Sequence, residues 1–286
     1  MWGDTMITEK QKRALNRSLR LQEYKADVIT TQQYEAVVRK SNTAVQKARY
    51  SLTLRQQKLL CYLISQINDT DTAATYIEFN LREVYDIIGD TTQNYQKAKD
   101  ELKEIADKSW WIVNDKNKDE EVLVRFLSKV IASKKTQNVK ILWDIDMLPH
   151  LQNLRREYTQ YKLFYILTMK SEYSARMYEL LKSVAGKTIW DFKIEKIKNL
   201  LMCEKKYQRF GHFKSRVIEP AVKEINEKTD INVSYELFKY GAGREYTDIE
   251  FTIEPKEQED LLRVNREITA ELHKDQIDGQ LNFNDM

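Results

Sequence analysis

The sequence predicts an α+β fold made of two similar halves, and three observations predict it. Apolar residues recur at helical spacing in several segments, and between these lie short runs rich in β-branched and aromatic residues. The order helix, strand, helix, helix, β-ribbon occurs twice along the chain. The two occurrences also match in residue type, as an internal duplication requires. That order is the order of a winged helix, so the expected architecture is a pair of tandem, pseudo-symmetric winged-helix domains, helix-rich with β-ribbon wings.

In the first half, VVRKSNTAVQKA (Val37 to Ala48) reads as a helix. TLRQQKLLCYLISQI (Thr53 to Ile67) reads as a second, capped by Thr53 and turning Leu59, Leu60, Leu63, Ile64 and Ile67 inward. A strand TYIEF follows, then a helix from Leu81 to Ile88 stopped by Gly89. Asp90 to Asn94 supplies turn and cap for a helix from Tyr95 to Lys108, after which SWWIV, VLVRFLSKVIA and NVKILWDI read as strands. The second half repeats the order. EYSARMYELLKSV (Glu172 to Val184) is a helix, TIWDF a strand, Lys193 to Leu201 and Gly211 to Lys228 helices, and INVSYELFKY with YTDIEFTI a hairpin turning through GAGR.

Position by position, IEFNLREVYDII (Ile77 to Ile88) matches WDFKIEKIKNLL (Trp190 to Leu201). Phe79 corresponds to Phe192, Leu81 to Ile194, Val84 to Ile197, and Ile87 and Ile88 to Leu200 and Leu201. Leu102, Lys103, Glu104 and Ile105 likewise match Val222, Lys223, Glu224 and Ile225, with Lys108 matching Lys228. Between the halves, DIDMLPHLQNLRREYTQYKLFYILTMK reads as a short helix and a strand. A boundary there gives a first domain over 37–150 and a second over 151–254. No Gly or Ser run interrupts that segment, so the two are expected to pack together.

At 286 residues the chain exceeds the usual single domain of about 100–150 residues. No window approaches the ~18–20 consecutive apolar residues of a membrane span, and the N-terminus lacks the apolar core of a signal peptide. A cytoplasmic protein with no membrane partner is expected. Cys61, inside an apolar helical run, and Cys203, alone beside Met202, read as small buried hydrophobes. Residues 1–36 form a polar N-terminal arm, partly helical. In it Ala14, Leu21 and Val28 stand seven apart, too few to argue a coiled coil. Residues 255–286 carry eight acids and four bases, an acidic C-terminal tail, whereas the first fifty carry ten bases and five acids. With a total charge of only +3, this polarity points to an anionic partner for the body of the protein.

The sharpest local signal is MCEKKYQRFGHFKSRVIEPAVKEINEKTDINVSYE (Met202 to Glu236). Between Lys205 and Lys223 lie six Lys or Arg and one acid, Glu219. At about 100° per residue Val217, Ile218, Ala221, Val222 and Ile225 share one face, and Arg209, His212, Arg216, Glu219 and Lys223 fall opposite, with Ser215 at the edge. A cationic, hydrogen-bonding face on a docked helix followed by a β-wing suits the DNA major groove; a solvated surface helix is the alternative. Pro220 lacks an N–H and would clash with the carbonyl of Arg216, so the helix starts near Arg216 or bends there. Lys214 would point at the core of an unbroken helix. In the first half the corresponding face holds Gln96, Lys97, Asp100, Lys103, Glu104 and Asp107, whose acids repel phosphate. A positioning role through Lys97 and the wing residues Arg125 and Lys129 is expected there.

VVRKSNTAVQKARYSLTLRQQKLLCYLISQI, LRREYTQYKLFYILTMKSEYSARMYELLKS and RFGHFKSRVIEPAVKEINEKTDINVSYE together resemble the iteron-binding replication initiators of theta-replicating bacterial plasmids, over residues 37–254. The resemblance implies two winged-helix domains, the second reading the major groove of repeated origin sites and the first supplying phosphate contacts and a dimer surface. It implies monomers on direct repeats, dimers on an inverted repeat that represses the protein's own gene, and recruitment of a host initiator and replicative helicase. Arg209, Lys214, Arg216 and Lys223 carry the DNA-binding role over to this chain. His212 and Ser215 beside them, and Lys205 and Lys206 in the preceding loop, are further candidates. A winged-helix repressor without initiator activity is the alternative function.

Enzyme chemistry finds little support. Gly186-Lys187-Thr188 ends like a phosphate-binding loop, but Leu181 stands where the first Gly should be. His150, His212 and His273 are some sixty residues apart, with no metal-ligand spacing. His150, after Pro149, reads as structural or exposed. Tyr62, Tyr85, Tyr173 and Tyr178 sit at packing positions, and Trp110-Trp111 reads as one core and one half-exposed aromatic. No catalytic residue, cofactor or metal is expected.

Overall fold

The computed structural model describes residues 36–88, 94–113, 117, 119–185, 189–239 and 246–284. The side chains of Asp86, Ile112, Val113 and residues 273–284 are not described. Expectations for the N-terminal arm, Gly89 to Gln93, the Gly186-Lys187-Thr188 run and the GAGR turn lie outside these residues.

Strand β1 (Val37–Ser41) opens the structure and leads into helix α1 (Asn42–Gln46), capped by the Ser41 hydroxyl. The expected single helix over Val37 to Ala48 is therefore corrected to a strand and one helical turn. β1 alternates in burial, Val38 and Lys40 inward, and pairs antiparallel with β7 (Tyr158–Lys162), which arrives from the middle of the chain. Helix α2 (Leu54–Ser65) carries a full capping box, the Thr53 hydroxyl accepting from Gln56 and the Gln56 side chain accepting from the Thr53 N–H. Leu59, Leu60, Cys61, Leu63 and Ile64 of α2 are buried as the periodicity requires, with Ile67 just beyond it packed at the margin of the core.

The remaining elements of the first half are β2 (Ile77–Asn80), α3 (Leu81–Ile87), α4 (Tyr95–Asp107), β3 (Ser109–Val113), β4 (Glu121–Arg125), β5 (Leu127–Ala132) and β6 (Asn138–Trp143). Asn94 caps α4. VLVRFLSKVIA, expected as one strand, is broken at Phe126. β4 pairs with β3 in a separate ribbon, and β5 pairs with β6 in the sheet β2-β6-β5. Phe126 is buried against Trp110 and Tyr50, with ring centroids 4.4 and 5.1 Å away, so the chain changes sheets around an aromatic anchor.

After a 3-10 turn at Leu148–His150, β7 runs into α5 (Leu163–Leu167) and then α6 (Glu172–Lys182), capped by Ser171. His150 Nδ1 lies 2.8 Å from Ser41 Oγ, a structural contact. The chain continues with β8 (Ile189–Lys193), α7 (Ile194–Leu200) and α8 (Phe210–Phe213). A π turn follows at Lys214–Ile218, then α9 (Glu219–Lys228), β9 (Ile231–Phe238), β10 (Asp248–Pro255) and α10 (Gln258–Asn284).

The duplication read from the sequence is borne out in register. β2 and β8 are the equivalent edge strands of β2-β6-β5 and β8-β10-β9. Phe79 faces Val139 where Phe192 faces Ile249, and Ile77 faces Ile141 where Trp190 faces Phe251. Phe79, Leu81, Val84, Ile87 and Ile88 are buried, as are their counterparts Phe192, Ile194, Ile197, Leu200 and Leu201. Both halves share one continuous apolar core, as the uninterrupted connection predicts.

That core holds a buried ionic group. Lys40 of β1 pairs with Glu179 of α6, which also accepts from Arg176 at 3.2 Å and from the Tyr161 hydroxyl of β7. Burial alone would lower the Lys40 pKa, but neighbouring Cys61 and Glu179 outweigh it and hold the ammonium above its ordinary value. Cys61 and Cys203 are both buried. Burial raises the Cys61 thiol, and burial with Glu204 alongside pushes Cys203 up to about 11.

The acidic tail forms α10, whose first half docks on the body. Val264, Ile268 and Leu272 are buried, Asn265 accepts from the Tyr165 hydroxyl at 3.1 Å, and Glu271 accepts from Lys228 at 2.8 Å.

Candidate nucleic-acid interface

From Phe210 to Lys228 the chain is a composite helix, α8, the π turn and α9 in succession. Phe213, Val217, Ile218, Ala221 and Ile225 bury its inner face, with Val222 at the margin. Pro220 falls at the first positions of α9, directly after the π turn. The N–H of Glu219 reaches back to the carbonyl of Lys214, an i→i+5 bond that widens the turn just ahead of the proline. The wider turn also keeps one face inward. In an unbroken α-helix Phe213 and Ile225 would stand about 120° apart. Five residues at roughly 4.4 per turn remove about 90° of that.

Three devices fix this helix against its half. The Asn226 amide donates to Val233 O at 2.8 Å and accepts from Val233 N at 2.6 Å, binding α9 to β9. Lys198 of α7 donates to Gln208 O at 3.1 Å, and its ammonium lies 5.3 Å from the Phe213 ring centroid, holding the turn that precedes α8. Phe210 packs on Tyr246 at 5.4 Å, and Lys239 sits 4.7 Å over the Tyr246 ring, tying the base of the β9–β10 wing to the start of the helix.

On the outward side Arg209, His212, Ser215, Arg216, Glu219 and Lys223 are all exposed, as expected. Arg209 and Arg216 have no ion-pair partner among the described residues, whereas Lys223 meets Glu227 at 3.9 Å. Lys214 is half-buried and lies 3.5 Å from Glu219, so the acid at the middle of the face is spent on a cation of the same helix. The widened turn keeps Lys214 at the rim instead of the core. Lys205 and Lys206 are exposed in the turn before α8. Lys206 Nζ lies 3.3 Å from the Tyr173 hydroxyl, a contact that raises its pKa.

The candidates in the first half occupy three separate elements: Lys97 the first turn of α4, Arg125 the end of β4, and Lys129 β5. All three are exposed. The outward acids of α4 are engaged locally, Asp100 by Gln96 at 2.9 Å, Asp107 by Lys103 and Glu104 by Gln56. That leaves Lys97 and Lys99 as its exposed cations without an ion-pair partner among the described residues. Lys239, aimed by Tyr246, joins the candidates. Its signal in the sequence was only a cation at a strand end.

The outer face of β8-β10-β9 has the opposite character. Asp191, Glu250 and Glu236 stand in one cross-strand row, and desolvation together with Asp191 and Glu236 raises the Glu250 pKa. Phosphate is repelled from that face, whereas the composite helix and the base of the wing present cations. Among the described residues no group of three or more His, Cys, Asp or Glu could hold a metal ion. No described helix is long and apolar enough to cross a membrane.

Two family models match the chain, one described as "Initiator Replication protein, WH1" over residues 37–182, the other as "Initiator Rep protein, WH2" over residues 193–253. A curated replication initiation protein from Escherichia coli is 24% identical over 238 residues, covering 80% of this chain and 72% of its own length. Among solved structures, that of Pi initiator protein in complex with iteron DNA is similar with a TM-score of 0.64 and 17% identity. The match covers 79% of this chain and 99% of that one, a likeness of fold.

Proposed function

The chain belongs to the initiator replication protein family, with two winged-helix domains, and from that premise we propose that it starts plasmid replication by binding repeated double-stranded origin sites, iterons. The single observation that carries this reading is the composite helix. It is docked by one apolar face, held at both ends, and presents Arg209, His212, Ser215, Arg216 and Lys223 outward beside a wing. Arg216, near mid-helix and without an ion-pair partner among the described residues, is the base-reading residue. Arg209, Lys214, Lys223, Lys205 and Lys206 contact backbone or base edges around it. Residues 37–150 contribute phosphate contacts through Lys97, Arg125 and Lys129. They also supply a dimer surface, for which exposed Trp111 and Leu123, opposite each other on the β3–β4 ribbon, are the apolar centre. Residues 151–254 hold the reader, and the arm and tail are assigned no DNA contact. In this reading the protein acts in the cytoplasm as a binding protein without catalysis. Monomers bind direct repeats and recruit a host initiator and the replicative helicase, and dimers bind an inverted repeat that represses the protein's own gene.

The test is a footprint on the DNA flanking its gene, followed by binding of Arg216→Ala. Direct repeats beside an A·T-rich segment support an initiator, and a lone inverted repeat supports a repressor only. A bidentate Arg on guanine is worth about 1–3 kcal/mol of discrimination. Arg216→Ala should therefore weaken the preferred duplex far more than a scrambled one. An affinity for the preferred duplex within about twofold of wild type, less than even a weak base contact is worth, removes this helix as the reader.

A further inference from the structure

The loop after α1 is gripped by a helix that comes more than a hundred residues later, α6. Arg176 of α6 is buried, and its Nη2 donates to the backbone carbonyls of Val45 at 2.6 Å and Ala48 at 3.1 Å. The same guanidinium lies 4.9 Å from the Tyr50 ring centroid. Ala48 is thereby fixed inward, with Tyr50 packed at the margin of the core, and Lys47 and Arg49, on either side of Ala48, stand exposed. Arg49 then meets the turn that precedes the composite helix, its Nη2 3.0 Å from Glu204 Oε1. In that turn the Lys206 ammonium rests 5.3 and 5.4 Å over the Tyr173 and Tyr207 rings, which meet edge to face at 5.9 Å.

One patch of surface therefore draws cations from both halves: Lys47 and Arg49 from the first, Lys205, Lys206 and Arg209 from the second. Among the described residues Glu204 pairs with Arg49, and Glu172 acts on the Tyr173 hydroxyl that Lys206 meets. We infer that this patch is a composite binding site for DNA backbone phosphates, built across the junction of the two winged-helix units, with Lys47 and Arg49 as contacts and Arg176 as their positioning residue. The inference rests on the proposal that the composite helix enters the groove, because the patch lies at that helix's N-terminal end, where the backbone of a seated duplex passes. Glu204 does not argue against it. Its pair with Arg49 is half-exposed on both sides, and such pairs are weak, so phosphate replaces the carboxylate readily and finds the guanidinium already aimed. The aromatic seat does the same for Lys206, orienting an otherwise freely rotating ammonium.

The experiment is a salt titration of the full chain on a short mixed-sequence duplex, between about 50 and 200 mM salt, where each phosphate contact contributes a slope of about 0.9. Lys47→Ala/Arg49→Ala should flatten the log–log slope by nearly two units, and Glu204→Gln should tighten binding at every salt concentration. Arg263→Ala/Arg266→Ala on α10, the same change of charge elsewhere, should leave the slope unaltered. A slope unchanged in Lys47→Ala/Arg49→Ala with wild-type thermal unfolding overturns the inference, as does an equal flattening in the α10 control. Should the double variant unfold, Arg49→Gln alone carries the test, with a loss of about one unit expected. Failure here is distinguishable from failure of the proposed function. Arg216→Ala would still lose discrimination between preferred and scrambled duplex if only the composite site were wrong.

Discussion

Replacing Glu179 by Gln should cost far more than replacing Lys40 by Met, although the two side chains form one ion pair. The buried group contains two cations, Lys40 and Arg176, and a single anion, each 4% exposed. Lys40→Met leaves a balanced pair, Arg176 with Glu179 at 3.2 Å, and the Tyr161 hydroxyl still donates to the carboxylate. Glu179→Gln leaves two cations in apolar surroundings with no counter-charge. Stranding a buried charge costs about 3–5 kcal/mol. With two stranded the upper end is expected, a large part of a typical total stability of about 5–15 kcal/mol. Lys40→Met, which removes the excess charge, should stay within about 1.5 kcal/mol of wild type. Urea unfolding reads both as shifts of midpoint at constant m. Lys40→Met as damaging as Glu179→Gln would refute the reasoning, because pair attraction and not charge balance would then govern the site. The acid limb gives a second reading. Burial pushes the Glu179 pKa up, but Lys40 and Arg176 outweigh it and leave the folded value below 4.5. Its contribution is therefore complete above 4.5 and lost as pH falls through the folded value, so stability of the Gln variant should fall less steeply there.

Two further outcomes follow from the core. Cys203, with its thiol pushed up to about 11, and buried Cys61 should both resist a thiol reagent at pH 8 and react together once the chain is unfolded in denaturant; rapid labelling of the native chain contradicts that. Ile268→Ala on α10, 2% exposed, should lower stability by about 2–4 kcal/mol in urea unfolding, whereas Leu262→Ala, about half exposed, should change it by less than about 0.5 kcal/mol. Equal effects would mean that α10 is not docked as described.

The repeated core was legible because Phe79, Leu81 and Val84 and their counterparts Phe192, Ile194 and Ile197 obey local periodicity, which needs no partner to be seen. β1 was not legible, for two physical reasons. Its inward positions are Val38 and Lys40, so the buried lysine hides the alternation, and its partner β7 comes from far along the chain. Arg176 and Glu179 read as polar positions of an amphipathic helix, although both are buried, since only the fold brings Lys40 and Tyr161 to them. In the tail, Leu261, Val264, Ile268 and Leu272 did carry helical spacing, but eight acids among 32 residues gave the stretch the look of a solvated segment. At the candidate interface the cationic face was readable from spacing alone. The Arg49 contact was not, because it joins residues 155 apart.

The π turn ahead of Pro220 has a consequence for how binding preference can change. Arg209, His212 and Arg216 lie before or within it, and Lys223 lies beyond it, so the angular offset between these two sets is set by the winding of that one turn. A substitution at 220 that restored ordinary helical winding would swing the front of the helix by roughly a quarter revolution against its rear. If the composite helix enters the groove as proposed, the same side chains would then address different steps of a duplex. Lineages of this chain could shift their target sequence through a hinge-free change of phase, leaving every cation in place.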